Sequence, residues 1–103
     1  MDRVVRDGRV AVLYSPGYGA GWSTWASDEV AGRVVFDPAV VAWVESGKVG
    51  DVPVDQYGDE YLYTGGAAQL EIKWVPVGTQ FRIHEYDGSE HVVLASEEEW
   101  HTA

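Results

Sequence analysis

The chain has 103 residues, with seventeen Asp and Glu against seven Lys and Arg, and a net charge of −10. That balance repels a phosphate backbone and excludes ordinary DNA or RNA binding, and a sequence without cysteine has no disulfide, thiolate metal site or Cys nucleophile. No apolar run approaches the roughly twenty residues a bilayer needs, so the expectation is a cytoplasmic protein with no membrane partner.

This length suits a single domain over 1–103 that buries about two-thirds of the surface its unfolded chain exposes, enough for one core. Five Trp, six Tyr and two Phe exceed what such a core hides. The surplus predicts aromatics at a pocket or a subunit contact, and hence a homo-oligomer.

Residues 9–14 read as a buried strand, because Val10, Ala11, Val12, Leu13 and Tyr14 form an unbroken apolar run between Gly8 and the Ser15-Pro16-Gly17 turn signal. A loop rich in glycine and aromatics follows, through Trp25. Val34, Val35 and Phe36 suggest a short strand, and Asp37-Pro38 then opens a helix over 38–46, with Asp at the N-cap and Pro at the first helical position. Val40, Trp43 and Val44 share one face of that helix, which places Trp43 in the core; Gly47 stands where a left-handed C-cap belongs.

Between 49 and 66 the signals mix: 55–63 reads as a short helix or an irregular excursion, and Gly65-Gly66 as a turn. Alternation over 70–74 predicts a half-buried antiparallel strand, with a turn at 76–78. Residues 81–86 and 89–94 flank Asp87-Gly88, the dipeptide suited to a type I′ hairpin turn. In that register Ile83 faces Val92, Phe81 faces Leu94, His84 faces His91 and Glu85 faces Glu90. Glu97, Glu98 and Glu99 read as a solvated end. The fold class is therefore α+β, a small antiparallel sheet with a C-terminal β-hairpin and one main helix.

The loop is the candidate site. Gly17, Gly19 and Gly21 permit close backbone approach, Ser15, Ser23 and Thr24 add hydroxyls, and Tyr18, Trp22 and Trp25 offer faces on which a planar ring stacks. The same composition also suits a tight loop whose aromatics pack inward. Trp22 stands where a dinucleotide fingerprint needs its third glycine, and the loop lacks a Walker Lys, so nucleotide-enzyme readings fail. No nucleophile elbow or zinc-protease helix appears, and the expectation is a non-catalytic protein without cofactor. His84 and His91 supply two metal ligands at most, because Glu85 and Glu90 point to the other face of the strands; His101 is a distant third, and no metal is expected. Arg82 shares its strand face with His84 and Tyr86.

Residues 10–25 (VAVLYSPGYGAGWSTW), 35–38 (VFDP), 70–76 (LEIKWVP) and 81–90 (FRIHEYDGSE) together resemble a group of small, mostly uncharacterised proteins encoded by bacteriophages. The resemblance covers roughly the first and last thirds of the chain, and 49–63 departs from it. It implies the cytoplasm of an infected bacterium, where small non-catalytic proteins act by stoichiometric binding. The reading that follows is a protein that sequesters a small nucleotide-like ligand, such as a host immune signal. Its binding residues are expected to be Tyr14, Ser15, Gly17, Tyr18, Gly19, Gly21, Trp22, Ser23, Thr24 and Trp25, with Arg82 and Tyr86. On that reading Trp22→Ala weakens binding without unfolding the domain. The alternatives are an acidic inhibitor docking on a basic face of a host defence protein, and a virion or assembly component.

Overall fold

Every residue from Val10 to Leu13 is buried, which requires apolar cover on both faces of the strand that carries them. The computed structural model, which describes residues 3–19, 21–58 and 62–95, supplies that cover from two different directions. Strand β2 (Arg9–Tyr14) is central in an antiparallel sheet, between the short β1 (Val5–Arg6) and β3 (Glu71–Pro76). Ala11 opposite Trp74 and Leu13 opposite Ile72 face the helices α1 (Asp28–Val34) and α2 (Pro38–Glu45). Val10, paired with Val75, and Val12 face the other way, onto a hairpin of β4 (Phe81–Tyr86) and β5 (Ser89–Leu94). Two apolar clusters thus lie on either side of one sheet where the composition had suggested one core.

The hairpin adopts the predicted register throughout, from Phe81 opposite Leu94 to Tyr86 opposite Ser89. Asp87 at φ +49° and Gly88 at φ +84° make the turn, both in the left-handed region that type I′ demands. Phe81, Ile83, Val92 and Leu94 bring one side of the ribbon onto the second cluster. Arg82, His84 and Tyr86 are exposed, as the alternation predicts.

Helix α2 begins as expected. The Asp37 carboxylate accepts from the backbone N–H groups of Ala39 (2.8 Å) and Val40 (3.1 Å), and Pro38 follows it. It ends one residue earlier than read, with Ser46 as its cap, in a Schellman arrangement: Gly47 N–H donates to the Val44 carbonyl and Lys48 N–H to that of Trp43. Trp43 is half-buried against the first cluster and donates its indole N–H to the Gly50 carbonyl.

Helix α1 corrects the sequence reading, which placed a strand at 34–36 and counted one main helix. Asp28 and Glu29 occupy its positive first turn, and Val30 and Val34 are buried one turn apart on one face. Val35 and Phe36 then turn the chain. Their strand-like composition reflects burial, and among the described residues the one ladder-like bond is from Leu13 N–H to the Val35 carbonyl, at 2.9 Å.

The middle segment holds two short 3-10 turns, Asp55–Tyr57 and Ala67–Gln69, with Gly65-Gly66 in a turn as read. The first is tied to α2: the second Asp37 oxygen accepts from the Gln56 amide at 2.7 Å and from the Tyr57 hydroxyl. Glu97, Glu98, Glu99 and His101 lie outside the described residues.

Asp37 therefore caps a helix and anchors the following segment with one buried side chain. Asp37→Ala is expected to cost about 2–3 kcal/mol, the loss of a cap plus an orphaned Tyr57 hydroxyl, against about 1 kcal/mol for Tyr57→Phe. Urea denaturation of the two variants checks both values.

Candidate functional site

The loop after β2 is built around a side chain that comes from the hairpin. Glu90 sits on the inward side of β5, is 0% exposed, and is held by loop donors alone. One carboxylate oxygen accepts from Ser15 N–H at 2.9 Å; the other accepts from Trp22 N–H at 2.9 Å, Thr24 N–H at 3.1 Å and the Thr24 hydroxyl. A carboxylate offers about four lone-pair sites, and this one accepts four hydrogen bonds, three of them on one oxygen. Burying such a group without donors costs several kcal/mol, so the loop and Glu90 need one another.

The ties extend along the strand. Glu90 N–H donates to the Ser15 carbonyl at 2.8 Å and the Ser89 hydroxyl to the Pro16 carbonyl at 2.8 Å, so the loop runs along the free edge of β5. Gly19 N–H reaches the Asp87 carbonyl, joining the loop tip to the hairpin turn.

This arrangement settles where each expected site residue lies. Trp22 is 0% exposed, belongs to the first cluster and donates its indole N–H to the Val34 carbonyl at 3.2 Å. The expectation of a free stacking face is corrected: no face of Trp22 is open, and truncating it opens a core cavity. Ser15 and Ser23 are likewise buried, with the Ser15 hydroxyl donating to the Gly66 carbonyl. The Ser15 and Trp22 amides expected to hold ligand oxygens already hold Glu90. Trp25 is half-buried against Tyr63, with ring centroids 5.0 Å apart.

The glycines also have internal reasons. A Cβ on Gly21 would come within 2.7 Å of the Trp25 ring, and Gly19 has φ +78°. Gly17 is partly buried, while Thr24 is exposed at its surface. Tyr18 is the one loop aromatic that points out, at 77% exposure.

Tyr14 closes the base of the loop. Burial first, and then the Glu71 charge and the long 3.4 Å hydrogen bond to it, push the Tyr14 hydroxyl above its ordinary pKa.

Arg82 is separated from these residues. Four strand positions, roughly 13 Å, lie between it and Tyr86 at the turn end. It lines a different cleft, of about 490 Å³, formed where the open end of the hairpin meets Arg3 and Phe36. Phe36 and Phe81 meet edge to face there, with centroids 5.9 Å apart and planes at 86°, and the Arg3 guanidinium lies 4.0 Å above the Phe36 ring. Thr79 and Gln80 complete the rim. Two of the seven cations of an acidic chain thus line one cleft, of which Arg3 stacks on an aromatic ring. Sequence reasoning singled out Arg82 but missed Arg3, Phe36 and Phe81, whose proximity depends on the hairpin folding back over β2.

His84 and His91 face one another across the hairpin, both exposed. No cluster of three metal-ligating side chains occurs among the described residues. No described helix is long and apolar enough to cross a membrane. Compared with protein-family models, curated proteins and solved structures, the chain finds no match.

Glu90→Ala leaves two buried N–H donors, of Ser15 and Trp22, and the part-buried one of Thr24 without an acceptor, and is expected to destabilise the fold by about 3 kcal/mol. Sodium formate, whose carboxylate fits the vacated space, should restore part of that loss relative to sodium chloride at equal ionic strength; equal unfolding midpoints in the two salts would refute the cradle. For Tyr14 the native state keeps a proton that the unfolded chain releases near pH 10. Its contribution is intact below that pH and fades as the pH rises toward the folded value, so Tyr14→Phe should flatten the alkaline limb of a stability–pH curve.

Proposed function

We propose that the protein is a non-catalytic binder of a small anionic, ring-bearing ligand of nucleotide-like chemistry, held in the cleft between Arg3 and Arg82. The observation that carries this reading is one concave site lined by Arg3, Arg82, Phe36 and Phe81, with the Arg3 guanidinium over the Phe36 ring. Guanidinium forks match phosphate oxygens, and a ligand ring stacks on an aromatic face or on the flat guanidinium of Arg3. Volumes of this order accommodate small ligands.

The charge distribution narrows the ligand. A net charge of −10 repels long polyanions, so a compact anion that reaches only the cleft is favoured over a nucleic-acid strand. Among the described residues the lining carries no carboxylate, imidazole or thiol, which favours holding over turnover. The resemblance to phage-encoded proteins supplies the setting: sequestration of a nucleotide signal in the cytoplasm of an infected bacterium. Compared with the expectation from sequence, the binding locus moves from the loop to the far end of the hairpin.

Isothermal titration with ADP, GMP and a cyclic dinucleotide tests the reading. At least one is expected to bind, and Arg82→Ala and Arg3→Ala should each weaken it about tenfold, equivalent to about 1.4 kcal/mol, while leaving the unfolding midpoint unchanged. No heat with any of the three, or undiminished binding by both variants, refutes the cleft as the site.

A further inference from the structure

The turn end of the hairpin carries a second surface, unlike the cleft in every chemical respect. Tyr86 is 72% exposed and Tyr18 is 77% exposed, the two most exposed aromatic side chains among the described residues. Their backbones meet one residue further on, where Gly19 N–H donates to the Asp87 carbonyl. Asp87, exposed, follows Tyr86 in the turn, while Glu85 projects from the other face of β4.

We propose that this corner is a docking surface for a protein face that presents arginine or lysine. Three observations select that partner. Exposed tyrosine rings attract cations to their faces, and arginine stacks on them while its remaining N–H groups reach a carboxylate. Asp87, exposed at the turn between Tyr86 and the Gly19 contact, adds a carboxylate at the same corner. The charge of −10 drives away acidic proteins and nucleic acid and speeds encounter with a basic surface.

The corner is also pre-organised, which decides that its aromatics serve as anchors. The Glu85 carboxylate folds back to accept Gly88 N–H at 3.0 Å, Ser89 holds Pro16, and Glu90 fixes Ser15, Trp22 and Thr24. The backbones carrying Tyr18 and Tyr86 are therefore tied in place before a partner arrives, and binding orders little beyond the two rings. Two tyrosines bury roughly 150–250 Å² each, a substantial part of the roughly 800 Å² that one side of a standard interface contributes. The surface stands apart from the cleft and does not rest on the ligand reading.

The test is a nuclear magnetic resonance titration of the isotope-labelled full chain with a peptide of alternating arginine and glycine at physiological salt. Shift changes are expected to concentrate at 17–19 and 84–88. The double variant Tyr18→Ala/Tyr86→Ala should bind at least tenfold more weakly while keeping the wild-type spectrum elsewhere. The control Asp51→Asn/Asp55→Asn, which removes two exposed acids far along the chain, should bind like the wild type. Shift changes spread over the whole acidic surface, or equal losses in both double variants, would show only general attraction to a polyanion and overturn the assignment.

Discussion

The fold depends on one buried carboxylate. Glu90 faces inward because side chains alternate along β5 and the Asp87-Gly88 turn fixes which residues oppose one another. A register slip of one residue would turn His91 inward and Glu90 outward, and the donors of Ser15, Trp22 and Thr24 would lose their acceptor. With the register kept, a group costly to bury becomes the centre about which an irregular loop is ordered. Trp22 can then lie in the core with its indole N–H on Val34, and that contact joins the loop to α1.

A loop that binds a ligand and a loop that binds its own protein have the same composition. Both need glycines where backbones approach closely, small hydroxyls and large apolar rings, so the Gly17, Gly19 and Gly21 pattern carries no information on which partner is used. The difference lies in Glu90, whose contact with Ser15 spans 75 positions of the chain. No local pattern marks that pairing. A sequence-level trace of it exists in the hairpin register, which already turned Glu90 toward the side of Ile83 and Val92. That a carboxylate on the apolar side must find donors was the missing step.

Elements with strong local chemistry were legible: the hairpin from its turn dipeptide, α2 from Asp37-Pro38 and Gly47, β2 from its unbroken apolar run. Helix α1 was not, because Gly32 and three valines in 30–35 depress helix propensity and resemble a strand. Burial of Val30 and Val34 one turn apart overrides that preference. Of the candidate site, Arg82 and the outward face of β4 were legible from alternation alone. The Arg3–Phe36 stack was not, since it joins the start of the chain to the junction of two helices.

The hairpin is the element on which both proposed surfaces depend. Its inward face packs on β2, which fixes its position; its two ends are left to different chemistry. At the open end, Phe81 and Arg82 line one cleft with Arg3 and Phe36, so cations and rings share a site. At the turn end, Tyr18 and Tyr86 project beside Asp87, where rings and a carboxylate meet instead. On the two proposals, an anion is the occupant of the first and a guanidinium that of the second. Five steps of roughly 3.4 Å from the first to the last residue of each six-residue strand hold the two ends about 17 Å apart, room for the proposed small ligand and protein partner to bind together without contact between them.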